Sequence, residues 1–227
     1  MAPHVHSAIQ ALIQSVSGTE TEKKTKSGYP FVVTISRDHG CSGEEIAERL
    51  AQRLGVHLYS KEILDKIAER THVDPAVVKQ LDEAVGKARD LWLYSLFTGQ
   101  DASADTYKKH MVNVILSLSR SGGVIMGRGA HVVLARTPAL RVRITGSPDV
   151  CANRVAKAED ISVDDAKKRI HDVNHQRGKF VWDAFHVRLS DPTSFDLVVN
   201  TDRLGDIEHV VEMLHNAAQA VTVGEKV

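Results

Sequence analysis

Apolar residues in this chain alternate between short continuous runs and stripes at helical spacing. Phe31 to Ile35 is a short, β-branched apolar run, the pattern of a buried strand. Ile46, Ala47, Leu50, Ala51 and Leu54 then repeat as one face of a helix, and Gly55 supplies its stop. Val56 to Tyr59 reads as a second strand and Ser60 to Arg70 as a helix. Asp74 and Pro75 open a further helix, with an acidic cap and proline in the first turn, running towards Phe97. Asp105 to Arg120 is helical. Gly123 to Gly127 and Leu140 to Ile144 read as buried strands. Pro148 starts another helix, and Ser162 to Arg188 is helical and highly charged. Phe195 to Val199 is the last strand. In the final helix Ile207, Val210, Val211, Leu214 and Ala218 share a face.

Strands alternating with helices predict an α/β fold, a parallel sheet covered on both faces. Ligands of such sheets bind beyond the carboxyl ends of the strands. Gly40 and Arg128 each follow a strand, which places both on that edge.

The loop between the first strand and its helix, Arg37 to Glu45, carries the most specific chemistry. Gly40 and Gly43 let the backbone turn sharply and approach a bound group. The first amides of the helix lack internal partners, and the helix dipole there favours an anion. A phosphate fits that description. A second reading needs no ligand: Ser42 and Glu45 have capping-box spacing and can satisfy the same amides themselves. Glu44 and Glu45 suit a helix N-terminus but repel a phosphate.

Composition narrows the function classes. A chain of 227 residues is long enough for one sizeable α/β domain with an insertion. Acidic and basic residues balance at 29 each, which gives no bulk basic signal for nucleic acid. The two cysteines, Cys41 and Cys151, make no disulfide framework and point to a reducing cytoplasm. No apolar run approaches the ~20 residues of a membrane span. Residues 1–28 read as an extension and linker, poor in apolar residues from Ser17 to Gly28 and without the features of a signal peptide. His171 and His175 stand four apart on one helix face, but no third metal ligand accompanies them, so no metal site is assigned.

The motifs Ile35-Ser-Arg-Asp-His-Gly-Cys-Ser-Gly43, Ile46-Ala-Glu-Arg-Leu-Ala-Gln-Arg-Leu-Gly55 and Tyr59-Ser-Lys-Glu-Ile-Leu64 come in that order. Val124-Ile-Met-Gly-Arg-Gly129, Arg154, Val173-Asn-His-Gln-Arg177 and Phe195-Asp-Leu-Val-Val-Asn-Thr201 follow. In that order and spacing, the chain from about Phe31 to Ala218 resembles the cytidylate kinase-like branch of the P-loop nucleoside monophosphate kinases. The resemblance implies a three-layer P-loop sheet over residues 29–227, a monophosphate-binding insertion at about 60–100 and a lid at about 157–191. It implies transfer of the γ-phosphoryl of ATP to CMP or a related monophosphate, with Mg2+. It puts Gly40, Cys41, Ser42, Gly43 and Glu44 in the donor-phosphate loop and Arg128 on the monophosphate. Arg177 falls on the lid near the transferring group, and Arg154 opens the lid helix. Arginine suits these tasks because its planar fork binds phosphate oxygens bidentately.

The chain also departs from the pattern. Gly43 and Glu44 stand where a Walker loop carries Lys and then Ser or Thr, which reach the phosphates and the magnesium. Asn174 and Ser60 stand where aspartates are common. Arg37 is the nearest residue to supply the lost charge. Three readings follow: a nucleoside monophosphate kinase, a nucleotide-binding module without efficient transfer, and a kinase of another small acceptor.

Overall fold

The computed structural model describes residues 30–62, 64–65 and 102–221. Five parallel strands form one sheet in the order β2-β3-β1-β4-β5. They are β1 (Val32–Arg37), β2 (Leu58–Tyr59), β3 (Gly123–Met126), β4 (Leu140–Thr145) and β5 (Leu197–Asn200). The helices are α1 (Gly43–Leu54), α2 (Ala102–Ser121), α3 (Ala130–Val133), α4 (Pro148–Glu159), α5 (Val163–Phe185) and α6 (Ile207–Ala220).

β1 is central and buried along its whole length, as a continuous apolar run between two packed layers should be. Alternate β1 residues feed two cores. Val33 and Ile35 pack with α1, α4 and α6 on one face. Val32 packs with α2 and α3 on the other. Helix α5 belongs to both: Ala166 and Ile170 join the first core, Val181 and Phe185 the second. Its 23 residues extend roughly 34 Å at 1.5 Å per residue. It therefore passes from one face to the other, and the residues between those anchors lie over the carboxyl end of β1.

The expected α/β sheet is present, with local differences. The last strand begins at Leu197, not Phe195, because Phe195 closes a 3₁₀ turn (Pro192–Ser194) and stacks on His131. β2 is confined to Leu58 and Tyr59. The short helix α3 was not expected from the sequence: four residues are too few to show a period. The helices expected from Ser60 to Arg70 and from Asp74 towards Phe97 fall largely or wholly outside the described residues, as does the 1–28 extension. No described helix is long and apolar enough to cross a membrane.

Candidate active site

The turn after β1 is built by close packing. A methyl group on Gly43 would lie 2.6 Å from Cβ of Arg37. Gly43 is thus small to admit the Arg37 stem, which leaves that arginine 8% exposed. Gly40, at φ +80°, faces the Cys151 carbonyl and Val155 of α4, again without room for a side chain. Both glycines serve backbone approach to protein atoms.

The capping box that the Ser42 and Glu45 spacing offered as an alternative does not form. Ser42 is left-handed (φ 60°) and its side chain caps nothing. Glu45 pairs along the helix with Arg49 at 2.6 Å. Among the described residues, nothing accepts a hydrogen bond from the amides of Gly40, Cys41 and Ser42. Cys41 offers only its backbone: the thiol points inward to the carbonyls of Asp38 and Ile144, and burial pushes it up to about 12.

Glu44 is the carboxylate that Arg37 and Arg177 share. Its Oε1 accepts from Arg37 Nε at 2.9 Å and from Arg177 Nη2 at 3.2 Å. Burial pushes this carboxyl up, but the Arg37 and Arg177 charges outweigh it and hold it below its ordinary value. Arg177 sits on α5 where that helix crosses β1, and its Nη1 donates to the Arg37 carbonyl. Burial, then the Arg37 charge, draws Arg177 below its ordinary value. One turn earlier, Asn174 accepts from the His39 amide at 2.8 Å. The asparagine thereby ties α5 to the loop.

Arg128 follows β3 in the left-handed region (φ 52°), a conformation that non-glycine residues adopt rarely and often at functional sites. Its guanidinium lies over the Phe180 ring, 4.5 Å from the centroid, and forks onto Asp65, with Nε at 2.5 Å from Oδ1. Tyr107 donates to the same oxygen at 2.9 Å. The neighbouring Gly129 is required by packing, since a methyl there would collide with the Phe185 ring.

A cavity of about 420 Å³ opens at this edge, and Arg37, Arg128 and Arg177 all line it, with Lys61, Phe180 and Gln176. Three arginines 49 to 140 positions apart in sequence thus face one volume, with a fourth cation, Lys61, from the turn after β2. Neither Arg154 nor the loop residues Gly40, Cys41, Ser42, Gly43 and Glu44 are among its lining residues. Arg154 donates to the side chain and carbonyl of Thr201, whose hydroxyl donates to the Cys41 carbonyl. Arg154 therefore touches the loop only through Thr201. Lys61, Glu62 and Asp65 went unassigned in the sequence, although they follow a strand on the same edge as Arg128. No cluster of three metal-ligating side chains exists among the described residues.

The cytidylate kinase from Methanopyrus kandleri (strain AV19) is 26% identical over 178 residues, covering 78% of this chain and 88% of that one. The crystal structure of an uncharacterized protein from Eubacterium ventriosum ATCC 27560 shares the fold. It matches with a TM-score of 0.68 at 20% identity, over 84% of this chain and 98% of that one. Kinship to a nucleotide kinase agrees with an arginine-lined cavity beyond the strand ends. Residues 32–203 match the model of the cytidylate kinase-like family, and the chain belongs to that family.

Proposed function

We propose that this protein transfers the γ-phosphoryl of ATP to a nucleoside monophosphate, with CMP or dCMP as acceptor. The observation that carries the reading is the convergence of Arg37, Arg128 and Arg177 on one cavity at the carboxyl edge of the sheet. Phosphoryl transfer asks of a protein chiefly positioning and positive charge where the transferring oxygens gather. In this reading Arg128, held by Asp65 and Phe180, takes the acceptor phosphate. In the same reading Arg37 and Arg177 act between donor and acceptor, and the amides of Gly40 to Ser42, without partners among the described residues, take the donor phosphates.

The residues fit ATP on that basis. Mg2+ would be held mainly by phosphate oxygens and water, as is usual for this ion. Glu44, in the first turn of α1, is already shared by two arginines. When bound, the ion would neutralise charge on the phosphates. Residues 29–227 form the proposed kinase domain, with the insertion at about 60–100 and the lid at about 157–191, working in the cytoplasm.

A specific feature favours a second reading, a nucleotide-binding module with little transfer. Glu44 stands in the loop where a Walker hydroxyl belongs, no loop lysine is present, and the acid neutralises the two arginines. A coupled assay of ATP turnover against a panel of nucleoside monophosphates decides between them. Turnover with CMP or dCMP above the others is expected. Binding without turnover for every acceptor leaves the module reading in place.

A further inference from the structure

Ser36 and His131 form a buried pair that the reading above leaves without a task. Ser36 is the penultimate residue of β1, 5% exposed, and lines the cavity between Arg37 and the Gly127 turn. His131 lies on α3, 1% exposed and stacked on Phe195 with ring centroids 4.6 Å apart. Its Nδ1 is 3.3 Å from Ser36 Oγ, and its Nε2 has no partner.

The imidazole is neutral: burial, then the Arg143 and Arg141 charges, pushes it down to about 3. A neutral ring has one N–H, so two arrangements exist. If Ser36 donates to Nδ1, the N–H sits on Nε2 and is buried without an acceptor. If Nδ1 donates to Ser36, Nε2 keeps only an unused lone pair. A buried orphan N–H is the rarer and costlier of the two. With Nδ1 as donor, the single hydroxyl proton of Ser36 has no acceptor among the described residues. The cavity is the space left for it.

We infer that Ser36 is a ligand-binding residue whose hydroxyl donates to an anionic phosphate oxygen in the arginine-lined cavity, and that His131 is the positioning residue that turns the proton outward. The ligand class, a phosphate monoester or its free phosphate, rests on the proposed function, but the orientation of the pair does not.

Two measurements test it. The first is imidazole ¹⁵N and ¹³C NMR of the full chain, with the His131 signals identified by their loss in His131→Phe. The Nδ1–H tautomer is expected, and the Nε2–H tautomer overturns the inference. The second is calorimetric titration of CMP, and of inorganic phosphate, into wild type and Ser36→Ala, with thermal melts confirming that both are folded. Affinity should fall about tenfold or more in the variant, the scale of a hydrogen bond to a charged group. Ser36→Ala introduced into His131→Phe should cost less than it does alone, because the hydroxyl is then no longer oriented. Equal CMP affinity in wild type and Ser36→Ala overturns the inference and leaves the kinase reading intact. Phosphate binding that depends on Ser36, with no CMP binding, sinks the monophosphate reading and sustains this one. Binding of neither probe sinks both.

Discussion

Arg177 donates to the main-chain carbonyl of Arg37 at 3.1 Å, across 140 positions of sequence. A side chain on the crossing helix is thereby locked to the end of the central strand, and both arginines meet at Glu44. The loop and α5 share one hydrogen-bonded hub. A change in the charge carried by that hub is felt by whatever binds beside it, and the hub sets the first two predictions.

Arg37→Ala should lose most ATP-dependent phosphorylation of CMP, by roughly 100-fold in kcat, the scale of removing one oriented donor from a developing charge. Arg37, the last residue of β1, is the only arginine or lysine between Ser36 and Glu45. A coupled kinetic assay reads the loss, and circular dichroism confirms the fold. Full activity in Arg37→Ala would show that another cation has taken the role of the missing lysine.

Glu44→Gln should tighten ATP binding by roughly threefold to fivefold, the size of a partly exposed ion pair. Glu44 now engages both arginines that a phosphate would use, so neutralising it removes an internal competitor. Isothermal titration in the presence of magnesium measures the change. Weaker binding instead means that the carboxylate helps hold the ligand, through the metal ion or otherwise.

Arg128→Ala should weaken CMP binding by about 1.5–3 kcal/mol, as for a lost hydrogen bond to a charged group. Asp65→Asn should weaken it less, because the guanidinium remains but loses the anion that presets it. Burial works against the charged form of Arg128, yet the Asp65 bond and charge raise it above its ordinary value, so it stays cationic. Titration calorimetry on both variants tests the order. Unchanged CMP affinity in Arg128→Ala removes this residue from the acceptor site.

His131 should make the fold acid-sensitive. Its ordinary value of 6.5 is pushed down to about 3 in the folded protein by burial first and then by Arg143 and Arg141. Below pH 6.5 the unfolded chain takes up a proton that the folded chain refuses. The stability from this group is therefore complete above pH 6.5 and is lost as pH falls towards 3, at up to about 1.4 kcal/mol per pH unit. Between pH 7 and pH 5 wild type should lose about 2 kcal/mol more than His131→Phe, measured by urea unfolding. Parallel pH profiles for the two proteins would show that the ring is already charged or solvated.

Sequence by itself determined the elements and the edge on which the site lies. The apolar run of β1, the helical stripe of α1, and the proline start of α4 are local patterns, and local spacing sets them. The glycines flanking Arg128 and the Gly40 turn after β1 were enough to mark both as strand-end positions. Tertiary structure decided what those residues do. Ser42 and Glu45 have capping-box spacing, but the left-handed turn at Ser42 carries the hydroxyl away from the amides it would cap. Gly43 looked like a site for ligand approach and proves to make room for Arg37. Glu44, in sequence a first-turn acid, becomes the anion between two arginines because α5 spans both cores and carries Arg177 over β1. Arg154, which the family resemblance puts at the opening of the lid helix, donates to Thr201, 47 positions on. The pairing of Ser36 with His131 spans 95 positions and has no trace in the spacing of the chain. Periodicity reports only neighbours within a few turns, whereas a binding site is made where distant strand ends and a crossing helix are brought together by burial of their apolar faces.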